Sequence, residues 1–569
     1  MGSPKREVEK TKAHRPPMDR DCGGENEEMG AMKKKYMEAT CDPDKFQNDL
    51  EIYGEKDLLR LVKFGTGGMR GLMRSGFNGI NEVTCNLIGT ELCRRFSSIV
   101  IGCDGRYNSL NYAMILRGIF KLNGKEAVLY SEVATPFLAF LVSRLGADAG
   151  IMVTASHNPK EYNGFKVYTS NGSQIGSPLD REIEESMEML NLTRLSGEEW
   201  YGEIFKRIRE ENDILGGKIP PASRKTNMAN SAGIDFSRRD ELVDCYNRWM
   251  FKGWSDSIVQ AIKSAGSPVP VVFTGLCGVS GEFVKKALEF YNLDGSMHFI
   301  DEECIPNPNF PRLPFPNPEV PETLARSKSS GLGDIVFSCD PDGDRFGLSE
   351  KVGGEWVDYN GNEIAAMFMD FFVENFAPSD LAFINTYLCN GLMEKVCSIH
   401  GIEYLRTETG FKNVSRAVDS VEGKNVFAYE DSLGFLFGNG KEKDGIKCVV
   451  LMASMVQREL PSRTLKRMER YGCFSSVNIH IRCTEPDRIL EKVLRKFPAA
   501  KTEGKRSTVE FDDYKVILRV SGTESVLKVY TSSEVLSKGA LTTAAKNFSD
   551  RYIRNEISND ECLSCDAHN

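Results

Sequence analysis

The 569-residue chain has no stretch approaching the ~20 consecutive apolar residues that crossing a bilayer requires, which excludes an α-helical membrane span. Its first thirty residues, polar, charged and holding several Gly and Pro, contain no apolar h-region, so no secretory signal is expected. Arg6 stands where N-myristoylation prefers Ser or Thr. Residues 1–32 read as a disordered tail. The 16 cysteines are scattered singly. The one C-x-x-C, Cys562 with Cys565, has no second pair to complete a tetrahedral zinc site. Free thiols in a reducing, cytoplasmic compartment are the expectation. Nor is there an excess of positive charge: 72 Lys and Arg against 81 Asp and Glu give a net charge of −9. That argues against nucleic acid as a general partner, while leaving room for a phosphorylated small molecule, whose site needs only local cations. What remains is a globular composition, 41% hydrophobic and 27% charged, long enough for about four domains.

Short apolar runs alternate with segments of helical periodicity. Ser98–Cys103 reads as a strand, Asn111–Lys121 as a helix, Glu126–Tyr130 as a strand and Phe137–Leu145 as a helix. The rhythm restarts after Pro268, where VPVVFTG precedes a helix over Gly281–Tyr291. It restarts again at Leu381, where LAFINT precedes Gly391–Ile399. Such β-α-β-α alternation predicts parallel sheets with ligands at the carboxyl ends of strands. Pro306–Pro321 is too proline-dense for a helix or a central strand. The last hundred residues differ, with strands at Ser475–Ile481 and Lys515–Val520 around a helix at Pro486–Lys496, as in an α+β domain. The expected division is therefore 33–225, 226–345, 346–465 and 466–569.

Four loops carry chemistry. The apolar run Gly150–Val153 stops at Ser156-His157, followed by Asn158-Pro159, with Lys166 ten residues after the serine. A hydroxyl on a proline-fixed turn is presented as a nucleophile instead of being buried. After the apolar strand Ile335–Phe337 comes Asp340-Pro341-Asp342-Gly343-Asp344-Arg345. Three aspartates at alternate positions give three hard oxygen ligands, and Gly343 lets the backbone curl around a small cation. The spacing is not that of an EF-hand, and the positions left open suit Mg²⁺ beside a phosphate. Arg519, Ser521, Gly522 and Thr523 close a strand with a guanidinium, two hydroxyls and a glycine, groups that suit a phosphate dianion. Phe64–Gly71 (FGTGGMRG) is not a dinucleotide fingerprint, because Arg70 occupies the third glycine position and no strand precedes it.

Over about residues 60–535 these loops resemble, in content and order, those of the phosphohexomutases (phosphoglucomutase, phosphomannomutase and relatives). FGTGGMRG and Lys443-Asp444-Gly445 place the resemblance nearest the phosphoglucomutase/phosphopentomutase branch. It implies three tandem α/β domains with mixed or parallel sheets plus a C-terminal α+β domain, around a central cleft. Ser156 would carry a phosphoryl group, and with Asp340, Asp342 and Asp344 would hold one Mg²⁺. Arg345, Arg70 and Thr66 would face the phosphate, with Lys166 or His157 poised for proton exchange. Arg519, Ser521, Gly522 and Thr523 would bind the phosphate not being transferred. Tyr429–Gly434 resembles the sugar-recognition loop, through Glu430 and Ser432, and Thr407–Lys412 a second loop in which Lys412 would contact phosphate. The implied activity is interconversion of glucose 1-phosphate and glucose 6-phosphate by a monomer, through a phosphoserine enzyme and a sugar bisphosphate that also serves as primer. A phosphopentomutase, a sugar-bisphosphate synthase and a non-catalytic scaffold member are the alternatives. Two departures bear on sugar specificity, Cys277 in place of histidine and Leu388-Cys389-Asn390 in place of a Ser-rich turn, while Ser525 in place of proline would loosen the phosphate loop without removing a donor.

Overall fold

The apolar runs form the strands of four sheets. The computed structural model describes residues 22–65, 68–195, 198–217, 238–264, 269–313, 315–421, 423–438, 440–520 and 526–557. The first sheet contains β1 (Gly68–Leu72), β2 (Ser98–Cys103), β3 (Glu126–Tyr130), β4 (Ala149–Val153) and β5 (Tyr162–Thr169). The second contains β6 (Val271–Thr274), β7 (Met297–Phe299), β8 (Ile335–Cys339), β9 (Phe346–Val352) and β10 (Glu355–Tyr359). The third contains β11 (Leu381–Thr386), β12 (Glu403–Thr407), β13 (Asn425–Glu430) and β14 (Gly434–Phe437). Strands such as β4, β6, β8 and β11 are buried along their whole length, as central strands covered by helices on both faces must be.

One topology occurs three times. In spatial order the sheets run β5-β4-β2-β3, β9-β8-β6-β7 and β14-β13-β11-β12, with β1 and β10 added at the edges of the first two. In each, three strands are parallel and the last in sequence turns back antiparallel beside the third. The turn between those two strands is the serine loop in the first unit and the aspartate loop in the second. In the third it is the Glu430–Leu433 turn. All three loops therefore leave the carboxyl end of a buried parallel strand, where α/β sheets bind ligands.

The fourth sheet is antiparallel throughout: β15 (Ser475–Arg482), β19 (Val526–Ser533), β18 (Lys515–Val520), β17 (Arg506–Glu510) and β16 (Lys501–Glu503), in that spatial order. Helices Pro486–Arg495 and Lys538–Phe548 close its apolar face around Ile481, Val493, Leu518, Leu527 and Phe548. This core is separate. By contrast, one continuous apolar cluster runs from the helix Thr135–Leu145 of the first unit through the second and third.

Two expected boundaries move. The antiparallel hairpin β9–β10 carries the second sheet to Tyr359, past residue 345, because a returning hairpin leaves no trace in a parallel rhythm. A capping box then opens the helix Gly361–Asn375, Asn360 accepting from the Glu363 amide and Glu363 from the Asn360 amide. At the N-terminal end, a helix over Cys22–Ala39 overlaps the segment expected to be a disordered tail. Met29, Met32 and Tyr36 lie on one helical stripe and pack into the first unit's core. Cys85, Cys93, Cys339 and Cys448 are buried free thiols, packed as small hydrophobes, whereas Cys562 and Cys565 lie outside the described residues.

Candidate active site

β4 ends at Val153, and the chain turns on Thr154. The Thr154 hydroxyl accepts from the Ser156 amide at 2.8 Å and donates to Asp104 Oδ2 at 2.7 Å. Ser156 is held in the left-handed region (φ +55°), which a non-glycine residue adopts only when its surroundings impose it. Those surroundings centre on Arg106, a fully buried guanidinium. Its Nη2 donates to the carbonyls of Ser156 (2.5 Å) and Asn158 (2.6 Å), and its Nη1 to those of Pro159 (2.8 Å) and Tyr162 (3.3 Å). Asp104 balances the charge, with Oδ2 3.2 Å from Arg106 Nε. The turn does not expose the hydroxyl as expected: Ser156 is 1% exposed, because the aspartate loop packs over it, and its Oγ lies 2.6 Å from Asp340 Oδ2 and 3.2 Å from His157 Nδ1.

The aspartate loop curls back on itself, as Gly343 (φ +73°) permits. The amides of Asp344 and Arg345 both donate to Asp340 Oδ1, at 3.1 and 3.0 Å. Acceptor atoms of Asp340, Asp342 and Asp344 lie within 4.8 Å of one another, all fully buried. Asp342 Oδ1 and Asp344 Oδ1 have no hydrogen-bond partner although buried, a costly state for a carboxylate oxygen that a divalent cation would relieve. These residues therefore fit a hard cation. Lys166 Nζ lies 2.5 Å from both Asp342 and Asp344, and Lys443 Nζ 3.1 Å from Asp344. Burial, with Asp342 and Asp344 alongside, pushes the Asp340 carboxyl well up. Against the upward push of burial, Lys166, Lys443 and Arg345 hold Asp344 well below the usual carboxylate range. Burial and the cations Arg345, Arg70 and Lys528 push the His157 imidazole well below its ordinary value, so at neutral pH it is an uncharged proton acceptor.

These loops face one cavity of about 270 Å³, small enough for a compact polar ligand. Arg70, His157, Lys166, Arg345, Glu430, Ser432 and Arg519 all line it. Ser156, Asp340, Asp342 and Asp344 lie immediately beneath, joined to its wall through His157, Lys166 and Arg345. Lys412 does not reach it: its ammonium is 2.6 Å from Asp180 Oδ2, tying the third unit to the first. The start of the helix Phe411–Asp419 turns that side chain away while Phe411 faces the cavity. Thr66, Ser521, Gly522 and Thr523 lie outside the described residues.

Sequence reasoning passed over several groups. Arg106 belongs to Asp104-Gly105-Arg106, a carboxylate and a guanidinium directly after β2, the same signal that marked the aspartate loop. Lys443 was noticed only as part of a branch signature. On the fourth sheet, His480, Lys528 and Arg519 occupy one row across β15, β19 and β18, so the cavity meets a band of nitrogen-bearing side chains wider than the single arginine expected.

The fold and the loops together define a family. Models of phosphoglucomutase/phosphomannomutase alpha/beta/alpha domains I, II and III match residues 61–193, 252–353 and 360–471 in tandem. The chain belongs to this family and is an enzyme, a phosphotransferase of the isomerase class. A glucose 1,6-bisphosphate synthase of Homo sapiens is 30% identical over 482 residues, covering 77% of this chain and 72% of the relative. A probable phosphoribomutase of Schizosaccharomyces pombe is 27% identical over 537 residues, covering 82% and 86%. Among solved structures, a putative phosphomannomutase from Thermus thermophilus superimposes with a TM-score of 0.64 at 19% identity, covering 86% of this chain and all (100%) of that one.

Proposed function

We propose that the protein is a phosphoglucomutase, interconverting glucose 1-phosphate and glucose 6-phosphate through a phosphorylated Ser156 and a glucose bisphosphate. One observation carries the reading. Ser156 Oγ lies against the aspartate triad, 2.6 Å from Asp340, under a cavity that also receives Glu430 from the third unit and Arg519 from the fourth. A sugar phosphate bridging that cavity has a carboxylate and a hydroxyl (Glu430, Ser432) for its ring and cations at its far end.

In the first half-reaction a sugar hydroxyl oxygen bonds to the phosphorus on Ser156 as the bond to Ser156 Oγ breaks, and in the second Ser156 Oγ bonds to the phosphorus at the other end of the bisphosphate as its bond to the sugar oxygen breaks. Such transfers depend mainly on alignment and on neutralising the moving charge. Arg70, Arg345 and Lys166 neutralise it, and the neutral His157, 3.2 Å from the serine oxygen, takes or returns the proton. Ser156, Asp340, Asp342 and Asp344 would hold one Mg²⁺, which when bound adds Lewis-acid stabilisation of the phosphoryl oxygens. The fourth-sheet row with Arg519 holds the phosphate that is not moving, in either orientation of the sugar. A sugar bisphosphate primes the serine. No helix among the described residues is long and apolar enough to cross a membrane. A monomer in the cytoplasm, acting on phosphorylated sugars and not on nucleic acid, completes the proposal.

The experiment supplies purified protein with Mg²⁺, a bisphosphate primer and, separately, glucose 1-phosphate, ribose 1-phosphate and mannose 1-phosphate. Turnover should be fastest with glucose 1-phosphate. Intact-mass spectrometry should find the wild type one phosphate heavier than its sequence and Ser156→Ala not. Ser156→Ala should fold normally and lose several orders of magnitude in turnover. Equal activity in the two proteins would remove Ser156 from the mechanism, and faster turnover of ribose 1-phosphate would replace the hexose assignment.

A further inference from the structure

The proline-rich segment Pro306–Pro321 has no place in the chemistry above, yet it touches residues beside the serine loop, in the aspartate loop and on the fourth sheet. Near its start Asn309 accepts from the Tyr107 hydroxyl at 2.8 Å, and the Phe310 ring lies under Arg106, 4.9 Å away. Arg106 is the residue that shapes the serine loop. Phe310 is itself buried in a small apolar cluster with Leu276, Leu313 and Leu324. Further on, Glu319 pairs with Arg345 of the aspartate loop at 3.0 Å. Between these anchors Phe315, half-buried, lies under the guanidinium of Arg482 on β15 of the fourth domain, 5.0 Å away, and both residues line the cavity.

The segment is stiff for reasons visible in its described residues. Pro311, Pro316 and Pro318 fix φ, and Phe315 is pinned by hydrogen bonds from Asn317 N and Thr323 Oγ1 to its carbonyl, at 2.8 and 2.7 Å. A pre-ordered contact loses little conformational entropy when it forms. The fourth domain needs such a contact, because its core is separate from the one the other units share. Its position over the cavity is set by contacts between domains, among them Asn362 with Ser476 and Asp431 with Asn478, and Arg482 on Phe315 is one that lies in the cavity wall. A planar guanidinium suits this seat better than an ammonium would, since it stacks on the ring face.

We propose that this segment is a strut holding the fourth domain over the cleft, with Phe315 and Arg482 as positioning residues that retain the sugar bisphosphate while it exchanges ends. The inference rests on the mutase reading above. In that reading the bisphosphate must let go of the serine side, turn, and present its other phosphate without leaving. Weakening the clasp should then increase escape more than it slows transfer.

The test loads the enzyme with radiolabelled phosphate on Ser156, adds unlabelled glucose 1-phosphate, and counts label released as free bisphosphate against label in monophosphate. Phe315→Ala and the bulkier Phe315→Leu should both raise the escaping fraction about two- to fivefold, the scale of one solvent-accessible cation–π contact. The concentration of primer needed for half-maximal rate should rise to match. Phe315→Tyr should restore retention. Arg482→Met should match Phe315→Ala, and the double variant should release no more than either single one, because both remove the same contact. Unchanged release in Phe315→Ala and Phe315→Leu, or single effects that multiply in the double variant, would overturn the strut. A wild type that never carries label on Ser156 would overturn the mutase reading underneath it instead.

Discussion

Replacing Arg106 by lysine keeps a positive charge beside Asp104 but removes the planar fork. The arginine serves four carbonyls of the serine loop, those of Ser156, Asn158, Pro159 and Tyr162, from two nitrogens pointing in different directions. A lysine offers three donors from one point. With one spent on Asp104, at least two of the four carbonyls lose their partner in a site that is 1% exposed at Arg106. Each buried acceptor left unsatisfied costs about 1–3 kcal/mol, so the fold should lose roughly 2–6 kcal/mol. The cost to chemistry should be larger in proportion, because the fork also holds Ser156 at φ +55°. Freed, the residue relaxes toward ordinary backbone angles and moves Oγ away from Asp340, and a displacement of about 1 Å can cost on the order of 100-fold in rate. The assay pairs urea unfolding with phosphoserine occupancy by intact mass and with turnover. Lower stability together with normal occupancy and turnover would refute the argument, leaving Arg106 a folding residue with no hold on the nucleophile.

Two further expectations follow from the buried carboxylates. Mg²⁺ should raise the thermal midpoint of the wild type, by the equivalent of about 2.7 kcal/mol at a hundredfold excess over its Kd. Asp342→Asn should lose most of that shift, and a full shift in the variant would displace Asp342 from the metal site. At the junction of the third and fourth domains, Asp431 accepts from the side-chain amides of Asn362 and Asn478, and burial pushes its carboxyl up to about 7. The folded protein therefore keeps a proton that the unfolded chain has released above about pH 4, and stability is lost as pH rises from there to about 7. Asp431→Asn, with the Asn478 amide turned to accept, should gain on the wild type across that window; parallel stability profiles for the two proteins would contradict the assignment.

Most of the strand framework and two of the four loops were legible in the chain. Leu381–Thr386 coincides with β11, because a run buried on both faces is continuous and apolar, and Glu126–Tyr130 coincides with β3, an edge strand that buries Ala127 and Leu129 and exposes Glu126 and Val128. Ser156 and the aspartates were legible as neighbours of one cavity because a hydroxyl and three carboxylates on short turns after apolar strands have few other uses. What escaped was whatever depends on distant placement. Arg106 lies 50 residues before the loop it shapes. Lys412 has the right residue type in a family-like loop, and only the direction of its helix sends it to Asp180. The hairpin β9–β10 hid the second boundary, and the repeated strand order could not be seen in residue identities at all. The proline-rich segment was correctly denied regular structure, but its contacts come from three other parts of the chain.

The separate core of the fourth domain has a thermodynamic consequence. Because one apolar cluster runs through the first three units, opening any of them exposes the others, and they should unfold as a block. The fourth domain, with Ile481, Leu518 and Leu527 enclosed in its own core, can detach from that block without exposing its interior. It can also unfold while the block stays native. Unfolding of the whole chain is then not one equilibrium but at least two, and a single melting temperature would average them. Amide exchange separates them: in low denaturant the amides of β18 and β19 should exchange by an opening that leaves those of β2, β8 and β11 protected.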